Sequence, residues 1–128
     1  MTMPDMKLEL VPIPVSDIDR AKEFYVEKIG FHLDHDVLPN ENVRVMQLTP
    51  PGSGCSIVIG RGMGEISDMK PGIVKGLHLV VKDIHQVRDI LIGRGVAMGE
   101  VIEFPGGIKY SGFSDPDGNS WTLQEVPS

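Results

Sequence analysis

An α+β fold of two tandem β-α-β-β-β modules is the architecture this sequence predicts, and two observations predict it. The first is the stretch from Ser111 to Val126, SGFSDPDGNSWTLQEV. Within it Asp115-Pro116-Asp117-Gly118 has the residues of a type I turn, with an Asx acceptor at the first position, proline at the second and glycine at the fourth. The flanks, Tyr110 to Ser114 and Ser120 to Val126, are rich in aromatic, β-branched and hydroxyl residues and read as antiparallel strands. The second observation is a degraded copy of this hairpin 66 positions earlier, with Thr49-Pro50-Pro51-Gly52-Ser53 on the turn and Cys55 to Ile59 on the following strand. At the same offset Val15-Ser16-Asp17-Ile18 falls on Val81-Lys82-Asp83-Ile84. Two separate landmarks sharing one offset argue for a duplicated module.

In chain order, Lys7 to Val15 alternates as a strand, with Pro12 and Pro14 on one face marking an edge position. Asp17 caps a helix from Ile18 to about Lys28, whose apolar residues recur at helical spacing, and Gly30 stops it. Phe31 to Val37 reads as a strand, Leu38 to Asn42 as a turn, and Val43 to Leu48 with Cys55 to Ile59 as the first hairpin. Gly60 to Gly72, rich in glycine, reads as a linker. The order then repeats: a strand over Gly76 to Val81, a helix from Asp83 to about Gly93, a strand near Val96 to Phe104, a turn at Pro105-Gly106-Gly107 and the last hairpin. The predicted division is a first module at 7–60, a linker at 61–73 and a second module at 74–128, all within one domain.

The composition narrows the function classes. The chain has 128 residues, of which 41% are hydrophobic and 23% charged, as expected of one globular domain. No apolar run approaches the roughly 18 residues of a membrane span, and the first ten residues lack the pattern of a secretion signal, so a cytoplasmic location is expected. The net charge of −6 without a basic cluster excludes the electrostatic footprint of a nucleic-acid binder. A lone Cys55 offers no intrachain disulfide, and its apolar strand suits a buried structural thiol better than a catalytic one.

Four segments, VSDIDRAKEFYVEKIGF at 15–31, LTPPGSGCSIVIG at 48–60, VVKDI at 80–84 and FSDPDGNSWTLQE at 113–125, together resemble the vicinal oxygen chelate superfamily of glyoxalase I, extradiol dioxygenases and fosfomycin- and bleomycin-resistance proteins. The resemblance implies curved mixed sheets closing over a pocket, helices on the outside, and a homodimer in which pockets form between modules of different subunits. In metal-using members the ligands come from the first and last strand of each module. The first-strand ligand lies seven residues before the capping aspartate, which gives Leu10 and Gly76 here. The last-strand ligand lies seven residues after the first turn residue, which gives Ser56 and Thr122. None of the four has the nitrogen, thiolate or carboxylate donor a divalent cation requires. The resemblance therefore implies no metal and no cofactor, and points to the branch that binds and sequesters an aromatic or polycyclic natural product such as an antibiotic. The alternative is a glyoxalase-like lyase or isomerase, either metal-free with His78 as base or with metal ligands from unrecognised positions.

Strand alternation from these positions proposes a pocket face carrying Leu8, Leu10, Pro12, Ser56, Val58, Gly76, His78, Val80, Thr122 and Gln124, with Arg44 and Tyr110 on equivalent strands reaching toward it. Ile13, Ile57, Leu77, Leu79, Val81, Trp121 and Leu123 fall on the opposite face, under the helices. His78 is the titratable group of greatest interest, as a pocket-wall residue, a ligand contact or a base. Trp121 reads as core. The HLDHD segment invites a metal reading, but alternation sends His32, Asp34 and Asp36 to one face and His35 to the other. Met63 and Met69 in the linker offer flexible thioethers near a pocket mouth.

Overall fold

The structure is a computed structural model that describes residues 1–127; Ser128, the last position of the predicted second module, lies outside the described residues. Its elements are β1 (Leu10–Pro12), α1 (Ile18–Lys22) continued by a π-helical segment (Glu23–Ile29), β2 (His32–Asn40), β3 (Val43–Thr49), β4 (Ser56–Arg61), a 3₁₀ turn (Gly64–Ile66), β5 (Leu77–Val80), α2 (Ile84–Gly93), β6 (Ile102–Glu103), β7 (Lys109–Ser114) and β8 (Ser120–Glu125). They form two four-stranded mixed sheets of the same topology, β1-β4-β3-β2 and β5-β8-β7-β6, in which the first and last strands of each half pair in parallel.

Both helices start as their capping residues dictate. The Asp17 side chain accepts from the Arg20 N–H, and that of Asp83 from the Gln86 N–H. The first helix is not α throughout. From Glu23 it widens into i→i+5 bonding, and it ends at Gly30, whose φ of 88° and N–H donation to the Tyr25 carbonyl close the last turn. The wider turn lets consecutive Phe24 and Tyr25 both enter the core. The strand expected over Val96 to Phe104 shrinks to Ile102–Glu103, while β2 runs on to Asn40, leaving a turn at Glu41–Asn42.

One core serves both sheets. Ile13, Met46, Leu48, Ile57 and Ile59 of the first sheet cluster with Phe113, Trp121 and Leu123 of the second and with Phe24, Tyr25, Ile84 and Leu91 of the helices. At its centre Tyr25 stacks on Phe31, with ring centroids 5.6 Å apart, and meets Trp121 edge-on at 5.9 Å. The DPDG turn does more than reverse the chain. Asp115, 5% exposed, receives the backbone N–H groups of Asp117 and Asn119 on Oδ1, and the Tyr25 hydroxyl (2.8 Å) and Asn119 amide (2.8 Å) on Oδ2. Asn119 also donates to the Pro14 carbonyl, and Asp117 takes two hydrogen bonds from Ser16 and an ion pair from Arg20. The turn of the second half is thus clasped to the β1–α1 corner of the first. Its counterpart at Pro50–Ser53 closes with a 3.0 Å backbone bond but carries no carboxylate to make such a clasp.

Candidate functional site

Because each sheet gives one face to the shared core, its other face is turned outward, and the predicted pocket residues divide between the two outer faces. Leu10 pairs with Ser56 and Pro12 with Val58, on the outer face of the first sheet. His78 pairs with Thr122, Val80 and Tyr110 both lie opposite Gln124, and Gly76 precedes β5, on the outer face of the second sheet. Trp121, Leu77, Leu79 and Leu123 are on the core side. Arg44 is the exception among the predicted residues. It shares the inner face with Met46 and Leu48, where its guanidinium donates two hydrogen bonds to Asp36 at 2.8 and 2.9 Å and forms an ion pair with Asp19 of α1 at 2.9 Å. Those hydrogen bonds hold the Asp36 carboxyl well below the usual carboxylate range and raise the guanidinium.

On the first outer face, Val58 is 5% exposed because linker residues Met63, Ile66 and Met69 line a cavity of about 90 Å³ with it. Ser56 sits in a polar network that the sequence did not reveal. Its hydroxyl lies 2.7 Å from Thr49 and 3.3 Å from the Gln47 amide, and both of these also bond Asp34. The bond from Thr49 first, and then one from His32 Nδ1 to Asp34 Oδ1 at 2.9 Å, lower the Asp34 pKa. The network exists because of a bulge: Leu33 pairs with Leu48 and His35 with Gln47, so Asp34 is the extra residue. The bulge corrects the simple alternation expected for HLDHD. His32, Asp34 and His35 share the outer face, and Asp36, opposite Met46, turns inward with Leu33.

The second outer face is aromatic. The His78 ring meets Tyr110 edge-on at 5.8 Å, and Tyr110 meets Phe104 at 5.5 Å. Ile102, Val80 and Phe104 are 57%, 66% and 49% exposed. Between His78 and Tyr110 the floor is Thr122 opposite Gly112, a strand glycine whose missing side chain leaves a shelf. Phe104 and Gly112 were not singled out from the sequence, although an isolated glycine in a strand is a readable sign of close approach. The open trough of about 910 Å³ between Val80, Lys82, Glu103, Lys109 and Glu125, and the apolar groove of about 410 Å³ along α2 at Ile90 and Leu91, gather neither set.

At Leu10, Ser56, Thr122 and Gly76, the positions expected from the sequence resemblance to hold metal ligands, the side chains are an alkyl group, two hydroxyls and none at all. In the first sheet Leu10 is level with Ser56, whereas in the second Thr122 is level with His78 and Gly76 with Ser120, so the pairing brings one imidazole, and no second nitrogen or carboxylate, beside Thr122. Among the described residues, no group of three or more His, Cys, Asp or Glu side chains is placed to hold a metal ion. This donor set does not fit a divalent cation.

Residues 7–123 match the family described as the Glyoxalase/Bleomycin resistance protein/Dioxygenase superfamily. The chain belongs to that superfamily. Among solved structures it is similar to TnmS3, an antibiotic-binding protein from Streptomyces sp. CB03234, at 35% identity and a TM-score of 0.82, covering 98% of this chain and 100% of that one. A glyoxalase/bleomycin resistance protein from the same strain is 37% identical over 91% of this chain and 98% of its own, with a TM-score of 0.75. A superfamily member from Sphaerobacter thermophilus DSM 20745 is 32% identical over 94% and 98%, with a TM-score of 0.81. No curated protein sequence matches the chain. No helix among the described residues is long and apolar enough to cross a membrane.

Proposed function

We propose that this superfamily member is a metal-independent binding protein for an aromatic or polycyclic small molecule, an antibiotic among the candidates, and that it protects by sequestration. The observation that carries the reading is that Leu10, Ser56, Gly76 and Thr122, which the sequence resemblance aligns with metal ligands, offer no nitrogen, thiolate or carboxylate donor, and that no cluster of three such donors forms among the described residues. What these faces retain suits a ligand site: apolar side chains, an aromatic row and a few polar groups fixed by hydrogen bonds. The likeness to an antibiotic-binding protein of 35% identity supports it.

In this reading the ligand is enclosed in a homodimer. The two outer faces of one chain point away from each other, and the face with Leu10, Pro12, Ser56 and Val58 closes over the partner's face with Gly76, His78, Tyr110, Thr122 and Gln124. The exposed Val80, Ile102 and Phe104 form the kind of apolar patch that a partner or ligand covers. Light scattering after size exclusion is expected to give twice the 14.0 kDa chain mass.

Calorimetric titration with a panel of polycyclic antibiotics, followed by recovery of the compound, tests the function. Saturable binding with the compound unchanged supports sequestration. Turnover that is lost in His78→Ala would replace this reading with the lyase or isomerase one, in which the His78 ring takes a proton.

A further inference from the structure

The outer faces carry a second message, in the direction of their hydrogen bonds. A carbonyl or carboxylate has no hydrogen to give, so any group bonded to one must be the donor, and hydrogens can be placed along the chain from there. Nδ1 of His78 lies 2.7 Å from the Gly76 carbonyl oxygen, so Nδ1 carries the hydrogen. In the neutral ring that leaves Nε2 with a lone pair. On the other sheet the Thr49 hydroxyl gives its hydrogen to Asp34, so the 2.7 Å contact between Thr49 and Ser56 is donated by Ser56. The Gln47 amide nitrogen, 3.3 Å from both Asp34 and Ser56, gives its two hydrogens to them, and its oxygen can only accept. Ser56 has then spent its hydrogen, accepted one, and keeps one lone pair.

His78 Nε2, Ser56 Oγ and Gln47 Oε1 are therefore all acceptors. Tyr110, Thr122 and Gln124 can serve either way and add no preference. Beside the first acceptor stands the aromatic row with its shelf at Gly112, open to a flat ring.

Resting on the proposal that the first outer face of one protomer closes over the second outer face of its partner around an aromatic molecule, we infer that the ligand is a planar aromatic that donates hydrogen bonds, placing ring hydroxyls on Nε2 of His78 and, across that interface, on Oγ of the facing Ser56. Methylating those hydroxyls removes the only hydrogens the site can take and leaves the ring area almost unchanged.

The test compares 2,6-dihydroxynaphthalene with 2,6-dimethoxynaphthalene by NMR titration of the full chain. The dihydroxy probe is expected to bind about five- to tenfold more tightly for each hydrogen bond made. His78→Phe, which keeps an aromatic ring, and Ser56→Ala are each expected to reduce the ratio of the two affinities by a similar factor. Equal affinities in the unmodified protein, or a preference that neither variant moves, would overturn the inference and leave the binding function standing. Probes that shift no outer-face signal on either sheet would overturn both.

Discussion

Replacing Tyr25 with phenylalanine tests whether the clasp between the two halves holds the fold together. The ring is fully buried, and phenylalanine keeps its contacts with Phe24, Phe31 and Trp121. Only the hydroxyl is lost, but it donates 2.8 Å to a buried carboxylate and accepts 3.0 Å from the Trp121 indole. A hydrogen bond to a charged group is worth about 1.5–3 kcal/mol, and an indole N–H left buried without an acceptor costs about 1–3 kcal/mol. Asp115 Oδ2 keeps its Asn119 partner, which offsets part of the loss. We expect destabilisation of about 3 kcal/mol. With an unfolding entropy of about 2.1 cal/mol/K per residue, that corresponds to a Tm lower by about 11 °C. Urea and thermal unfolding followed by circular dichroism measure it. Trp121→Phe and the double variant complete a cycle in which the two losses overlap by about 1 kcal/mol or more. The same hydroxyl has an alkaline signature. Burial first, then the Asp115 charge, push its pKa far above the tyrosine range, so the folded state stays protonated while the unfolded chain ionises near pH 10. The stability Tyr25 adds is complete below that pH and is lost as pH rises through and beyond it, a decline that Tyr25→Phe flattens. A loss under about 0.5 kcal/mol with no overlap in the cycle would refute the clasp.

Two further outcomes follow from the packing. Asp36, held below its usual range by Arg44, stabilises the fold above the unfolded carboxylate value near 3.9, and that contribution fades as pH falls from about 5; Asp36→Asn is therefore expected to be less stable by about 1–2 kcal/mol at neutral pH and to show a shallower acid decline in Tm. Gly72→Ala places a methyl group against the Asp117 carbonyl at a φ of 82°, so a destabilisation of more than about 2 kcal/mol is expected in the same urea assay, with Gly52→Ala, where open space surrounds the site, milder.

The architecture was legible because its signals are local. Capping aspartates, a glycine stop and a proline-glycine turn each act within a few residues, and their repetition at one offset implied the two matching sheets. Period-two alternation also placed Trp121 and Leu123 in the core, where they are buried. It failed where an extra residue breaks the period, at the Asp34 bulge, and with it went the Asp34–Thr49–Ser56 network. Arg44 was aimed outward for want of a register for β3, which only its pairing with β4 supplies. Nor does any local pattern say that Asp115 reaches Tyr25, since that bond depends on how two remote segments meet in space.

The clasp also bears on how the chain is made. Tyr25 and Asp115 lie 90 positions apart, and at translation rates of about 10 residues per second the helix emerges roughly nine seconds before the carboxylate its hydroxyl binds. During synthesis the first half has four strands and a helix but no second sheet to cover its aromatic face. Emergence of the second half, rather than of the first, is the event that takes that face out of water.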